Sequence, residues 1–480
     1  MLFNSFEFIF AFLPATLAIY VFLNKQRLTT AATVWLVFAS LFFYSWWDVR
    51  YLALIVGSIL FNFGVGTVLT KIAKSGGEER TQKAVLFAGI AGNVLLLCYY
   101  KYVDFFIGNI NSIIGLHLAF QKIILPLGIS FFTFTQIAYL VDTYAGTAKE
   151  YDFLNYALFV TFFPHLLAGP IIHHKEMMPQ FARMRNKATS YRNWSVALFL
   201  FFIGLFKKTI IADSLSRVAN TGFDAPAALT LADAWVTSLS YTLQLYFDFS
   251  AYTDMALAAS LLFNIRLPFN FNSPYKATDI SDFWRRWHMT LSRFLRDYIY
   301  IPLGGNRRGN FRTYVNLMAT FLVGGLWHGA GWTFVFWGFL HGAATVIHRF
   351  WDKWGMRLPR FFAWFITINF VNVAWVFFRA KTWSDALRVL KGMCGLNGVP
   401  LSPLLWNFGV TFGSMIHANI HKNIFFILVI LSAIAVFAKN SNELSQTFKP
   451  DWKSAAFVVV LAVYTLLGMN RVTEFLYFNF

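Results

Sequence analysis

Apolar stretches recur from one end of this chain to the other, and that succession restricts the fold more than any other feature. They run Phe8–Leu23, Ala31–Trp47, Tyr51–Leu69, Ala84–Tyr99, Ile123–Val141, Tyr156–Leu167, Trp194–Phe206, Ala232–Phe247, Thr333–Ile347, Phe361–Phe378, Phe425–Phe437 and Ala455–Leu467. A full span needs ~20 apolar residues, with a range of roughly 17–25. The shorter runs are expected to be tilted, broken or re-entrant helices that pack against protein rather than lipid. Composition agrees: 58% of the residues are hydrophobic and 13% charged, against about 25% charged in soluble domains. The expectation is an all-α polytopic membrane protein with on the order of a dozen membrane segments.

A net charge of +18 invites a nucleic-acid reading, which the distribution of the charge excludes. Basic residues gather in short loops between apolar runs, as the positive-inside rule requires. Lys25 and Arg27 follow the first run; Lys71, Lys74, Arg80 and Lys83 follow the third; Arg183, Arg185, Lys187 and Arg192 separate two later ones; Lys439, Lys449 and Lys453 precede the last. The loops at Asp48–Arg50 and Lys101 are poorer in charge. This pattern predicts both termini on the outer face. The first run starts at Phe8 with neither a basic leader nor a small-residue cleavage site, which predicts a retained helix. Two distant cysteines, Cys98 and Cys394, supply no disulfide framework and no CxxC metal pattern.

Residues 1–144 predict a regular helical wall, and residues 351–480 predict plain helices and a tail. Between them, over 151–350, polar and charged residues intrude on apolar sequence. Such residues are costly at membrane depth and usually face a cavity or pathway, so this third is expected to hold the working site. His328 is the first candidate. It stands in "FLVGGLWHGAGWTFVFWGFLHG", where small residues would let a backbone or a thin substrate approach, and an imidazole exchanges protons near neutral pH. Its plainer role is a packed histidine at a small-residue helix interface. The second candidate is "DISDFWRRWHMTLSRFLRDYIY". Arg285, Arg286 and Arg293 suit phosphate oxygens, and His288 would complete a two-histidine site. A basic amphipathic helix anchored at the interface by Trp284 and Trp287 is the alternative, and for the arginines alone the stronger one.

In "YFDFSAYTDMA", Asp248 and Asp254 either coordinate polar substrate groups or bond neighbouring helix ends and the arginines. "NIRLPFNFNSPYKATD" predicts a re-entrant loop. His173 and His174 abut Lys175 in a loop. His417 and His421 share a helix face but lack an acidic partner, and HExxH is absent, so no metal site is expected. GxSxG and GxxxxGK[ST] are absent too. The tail, "TEFLYFNF", offers Tyr477, either as an aromatic interfacial anchor or as a nucleophile that needs a base to attack an acyl group. A multi-span transporter or export component for a glycan or lipid would also carry intramembrane histidines and aspartates; no internal repeat supports it.

Together "LPLGISFFTFTQIAYLVDTY", "LAGPI", "YFDFSAYTDMA", "LPFNFNSPY", "FWRRWHMTLS", "YIYIPLGG" and "LWHGAGWTFVFWGFLHG" resemble the bacterial, glycan-acylating branch of the membrane-bound O-acyltransferase family. The motifs come in order over nearly the whole chain. They look most like the membrane subunit of alginate O-acetylation and its peptidoglycan relatives, with lipoteichoic acid D-alanylation more distant. The resemblance implies a ring of tilted transmembrane helices around a thinned core, in a bacterial inner membrane. It implies catalytic roles for His328 and His288, and for Tyr477 as a transient acyl acceptor. It places Trp327, Arg285, Arg286, Arg293 and Asp248 toward substrate. No cofactor is implied; acetyl-CoA is the acyl donor. The implied partners are membrane lipids, an exported polysaccharide and a periplasmic SGNH-like O-acetyltransferase.

Overall fold

Long α-helices, several of them broken at points where polar residues collect, make up the computed structural model, which describes residues 1–148, 152–399, 424–469 and Leu476. No strand occurs among them. The chain divides into two units, Met1–Ala197 with Ala256–Pro268, and Leu198–Met255 with Phe269–Phe480.

The first unit opens with a π-helical turn, Glu7–Phe12, that runs into α1 (Leu13–Lys25). Then come α2 (Thr29–Ser45), α3 (Arg50–Lys74), α4 (Glu79–Leu97), α5 (Val103–Ile114) and α6 (Ile129–Tyr144). After them lie α7 (Phe153–Thr161), α8 (Phe163–Leu166) and α9 (His174–Ala182). Asp152 caps α7 through the Leu154 N–H, and Pro164 opens α8 where a missing N–H costs nothing. Large apolar side chains such as Phe38, Leu60 and Phe87 point outward. In water that surface would be a liability; in lipid it is the expected solvent face. Inside, the helices meet through neutral polar pairs. Asn62 of α3 and Asn93 of α4 exchange two amide hydrogen bonds, at 3.1 and 2.7 Å. Gln136 of α6 donates to Ser58, and the Tyr156 hydroxyl donates to Gln136.

The second unit takes up α10 (Tyr191–Phe206) at Leu198. A π-helical turn, Lys207–Ala212, joins it to α11 (Asp213–Asp224). Helix α12 (Leu231–Leu262) is buried at every residue from Ser240 to Met255. Beyond it lie α13 (Ile280–Arg286), α14 (Met289–Leu295), α15 (Gly309–His328), α16 (Trp332–Lys353), α17 (Arg360–Arg379) and α18 (Trp383–Met393). The last described helices are α19 (Ile424–Phe437), α20 (Ser441–Thr447) and α21 (Trp452–Gly468). α18 and α20 each start with a full capping box, Thr382 with Asp385 and Asn440 with Glu443.

Helices α15 and α16 form a hairpin with almost no side-chain spacer. A methyl group on Gly325 would strike the Phe334 carbonyl oxygen, and one on Gly338 would strike the Phe321 carbonyl oxygen. Only glycine allows these two backbones to touch, as at other small-residue helix crossings.

Five described helices are long and apolar enough to cross a membrane: Glu7–Lys25, Arg50–Lys74, Glu79–Ile114, Tyr191–Asp224 and Arg360–Arg379. The bent pair α19–α20 adds a sixth if counted as one span. This is fewer than the apolar runs of the sequence. α2 and α21 are apolar but shorter. The remaining runs belong to α6, to the broken α7–α8, to α12 and to α16, which carry polar groups or bury most of their residues in protein. Hydropathy registers burial but does not distinguish lipid from protein as its cause. One run also starts late: α6 begins at Ile129, and residues 116–126 preceding it are irregular and mostly exposed.

Candidate active site

The second unit gathers its polar side chains at three breaks in its helices. Between α13 and α14 the break is His288 itself, with φ 42° and ψ 52°. Left-handed backbone at a non-glycine residue costs on the order of 1–3 kcal/mol and persists only where its surroundings impose it. Here Asn270 imposes it. Its carbonyl oxygen accepts from the Met289 N–H at 2.9 Å, and its side-chain Oδ1 accepts from the Thr290 N–H and hydroxyl at 3.2 and 3.0 Å.

That arrangement fixes a tautomer. The Thr290 N–H can only donate, so the atom facing it on Asn270 is the amide oxygen. His288 Nδ1, 3.1 Å from the same oxygen, must therefore carry the proton and donate. In the neutral ring the lone pair lies on Nε2. The carboxamide thus orients the imidazole and fixes its tautomer.

His328 occupies the last position of α15, and a tight link, with the Gly331 N–H donating to the Gly329 carbonyl at 3.0 Å, turns the chain into α16. Its ring centroid lies 6.4 Å from that of His288. Trp337 and Phe378 close it in at 5.1 Å each, and Trp327 at 4.9 Å. His288 is 0% exposed and His328 3%. Two imidazoles predicted from separate motifs, forty residues apart in sequence, are thus neighbours in an aromatic enclosure.

The arginines occupy the α13 side of this site. Arg286 Nε donates to Asp282 at 2.8 Å and its guanidinium also reaches the Asn272 carbonyl at 3.3 Å. Arg285 shares Asp282 at 3.4 Å, with a side chain 67% exposed. Arg293 lies one helix further, half-buried on α14. The expected interfacial helix does not form. Left-handed His288 splits it in two, and Trp287, expected as an anchor, is 1% exposed, stacks on Phe283 and lies tilted against Trp375. Trp284 is half-buried and donates to His341 Nδ1 at 3.2 Å.

Asp248 and Asp254 pair with lysines, not with the arginines of α13 and α14. The π-helical turn at Lys207–Ala212 directs two ammonium groups inward. Lys207 meets Asp254 at 2.8 Å. Lys208 meets Asp248 at 2.7 Å and Asp213 at 2.9 Å. π turns often mark functional positions. The residue after Asp248, Phe249, places its ring edge-on to His288 at 4.8 Å. The Leu476 N–H donates to the second Asp248 oxygen at 2.9 Å. Tyr477, His417 and His421 lie outside the described residues.

Sequence reasoning missed Lys207, Lys208, Asn270 and His341. The signal for the lysines was present: "LFKKTII" inserts two cations into an apolar run, and buried cations need carboxylates. Asn270 sits in "LPFNFNSPY", where nothing separates it from the asparagine two residues on. His341, buried and in contact with Trp337 at 4.8 Å, was visible in the glycine-rich segment but was not weighed. His173 and His174, expected in a loop, are buried in the first unit, with the His174 ring against Tyr139 and Phe159. Among the described residues no group of three or more His, Cys, Asp or Glu side chains could hold a metal ion.

Residues 18–380 match the model of the MBOAT, membrane-bound O-acyltransferase family, a span that contains both histidines and both lysine–aspartate pairs. This chain belongs to that family. It is therefore a multi-pass membrane O-acyltransferase, and the transporter alternative falls away. It is 46% identical to the peptidoglycan O-acetyltransferase of Helicobacter pylori, over 100% of this chain and 98% of the relative. It is 39% identical to the probable alginate O-acetylase AlgI of Pseudomonas aeruginosa, over 84% of this chain and 77% of the relative. It is 28% identical to the teichoic acid D-alanyltransferase of Bacillus subtilis, over 53% of this chain and 69% of the relative. The C-terminal tail lies beyond the family match but within the match to the H. pylori protein.

Proposed function

We propose that this acyltransferase carries acetyl groups from cytosolic acetyl-CoA to the outer face of a bacterial inner membrane, for O-acetylation of an exported glycan. One observation carries the reading. Two imidazoles, one of them held as the Nδ1–H tautomer, face each other at 6.4 Å inside a membrane-embedded aromatic enclosure. Peptidoglycan is the glycan we favour, because the relative named for it matches the full chain at 46% identity, while the alginate relative matches less of it at 39%.

In this reading His328 is the general base. The Tyr477 hydroxyl attacks the thioester carbonyl, and its proton passes to His328. The new C–O bond forms as the C–S bond breaks, and coenzyme A leaves as a thiol after taking the proton back. General-base assistance of this kind contributes typically 10²–10⁴-fold. His288, held as the Nδ1–H tautomer, relays the proton or holds the thioester in place. Arg285, Arg286 and Arg293 receive the anionic donor on a basic cytoplasmic face, and Trp327 lines the acyl path. Burial of both rings keeps bulk water away from the thioester. A periplasmic SGNH-like partner then moves the acetyl group from Tyr477 to a sugar hydroxyl and restores the phenol. In this reading residues 151–350 supply the base and the donor site, the tail supplies the acyl acceptor, and the positive-inside pattern favours both termini outside.

Incubation of the purified protein with acetyl-labelled coenzyme A tests the scheme. Label is expected on the C-terminal peptide of the parent protein and is expected to vanish in Tyr477→Phe. Label that persists in that variant refutes the acyl-carrier role.

A further inference from the structure

We propose that the buried Lys208–Asp248 pair is a dock for the C-terminal tail, which fixes where the tail meets the two histidines. This rests on the acyl-carrier reading of Tyr477 and adds the positioning residues for it.

Both oxygens of the Asp248 carboxylate are committed. One faces Lys208 Nζ at 2.7 Å, and the other accepts the Leu476 N–H at 2.9 Å. Asp248 is 2% exposed and Lys208 4%. If neutralising a buried carboxylate were the only requirement, the lysine would suffice. The second oxygen instead holds a backbone amide 228 positions away in sequence. Because that donor is main chain, the dock fixes the depth and register of the tail and not the identity of a side chain. A hydrogen bond to a buried ionised acceptor is among the stronger ones available.

The neighbouring pair repeats the device. Asp254 holds Lys207 at 2.8 Å with one oxygen and accepts from the Ser441 hydroxyl at 2.8 Å with the other. The two aspartates of "YFDFSAYTDMA" thus each take one lysine from the π turn and one group from the C-terminal part of the chain. Asp254 anchors the start of α20, and Asp248 anchors the tail.

The position explains the use. Asp248 and Phe249 are consecutive on α12; the first holds Leu476 and the second contacts the His288 ring at 4.8 Å. Tyr477 is the next residue after Leu476, and one residue spans at most ~3.6 Å of chain. An acyl carrier tethered through Leu476 to the helix that contacts His288 needs no search through solvent, and such pre-organisation is a large part of what positioning contributes to rate.

The dock can be read without any acyl transfer. Cys98→Ser and Cys394→Ser leave Leu476→Cys as the single thiol, and that substitution keeps the backbone donor. Maleimide modification of this cysteine in detergent-purified protein is expected to speed up at least about tenfold when Asp248→Ala is added, since the bond lost is one to a charged group. Lys208 keeps Asp213 in that variant, so no ammonium is orphaned. Equal rates with and without Asp248→Ala overturn the dock.

A second pair of variants leaves α12 untouched. Leu476→Pro removes the donor and is expected to cut acetyl labelling of the tail at least about tenfold, while Leu476→Ala keeps the donor and stays within about threefold of the parent. Equal labelling of the proline and alanine variants also overturns the dock. A parent protein that takes no label at Tyr477 refutes the acyl-carrier reading instead, and the maleimide comparison then decides the dock alone.

Discussion

The two units both bury polar side chains among apolar helices, but among the described residues buried lysine–aspartate pairs occur in the second alone. In the first unit the pairs that join α3, α4, α6 and α7 are neutral amides and hydroxyls, Asn62 with Asn93, Gln136 with Ser58 and Tyr156 with Gln136, and the buried imidazoles His165, His173 and His174 stand apart from them. The two asparagines satisfy each other reciprocally. In the second unit the groups are imidazoles, ammoniums and carboxylates, and they stand at irregular backbone. Lys207 and Lys208 lie in a π turn, His288 is left-handed, and His328 ends its helix at a tight link. Neutral pairs hold helices together at modest gain. Ionisable groups at that depth are costly, and chains retain them where they serve chemistry or its positioning. The contrast separates structural polarity from working polarity.

The first way to break that contrast is His328→Ala. Turnover is expected to fall by about 10²–10⁴-fold, with the protein still monodisperse in detergent and its melting temperature close to the parent's. A large loss of stability with little loss of turnover per folded molecule would put His328 on the structural side. Gly338→Val should act in the opposite sense. Its Cβ would strike the Phe321 carbonyl oxygen and crowd Gly325 Cα at 3.2 Å. Overpacking of this kind costs typically 1–3 kcal/mol, to be measured as a drop in melting temperature and a broadened gel-filtration peak.

The smallest expected effect sharpens the comparison from the first unit. Asn62→Leu leaves the Asn93 amide buried without its reciprocal partner and should cost about 1–2 kcal/mol. Asn62→Leu with Asn93→Leu removes both and should recover most of that loss. Turnover per folded molecule should match the parent in both variants, which a thermal melt beside a steady-state assay would check.

His328 and His288 could be singled out because each stands in a local pattern, small residues around one and arginines and tryptophans around the other. Their adjacency at 6.4 Å required the fold. The interfacial helix that was the alternative over 279–300 does not form, for a physical reason. Asn270, outside that segment, imposes a left-handed residue that no helical periodicity can foresee. The aspartates were expected to meet nearby helix ends or arginines, and they meet lysines some forty residues upstream.

The sequence alone determined the solvent and the class. Hydrophobic runs and loop cations demand a membrane and helices, since lipid offers no partner for a free backbone. It also pointed to His328 and His288, because each stands in a local pattern of its own. Tertiary structure decided the rest: which carboxylate answers which buried ammonium, which nitrogen of His288 keeps its proton, and where the tail attaches to α12. These depend on groups brought together from distant parts of the chain, and a charge leaving water takes whichever partner the packing delivers.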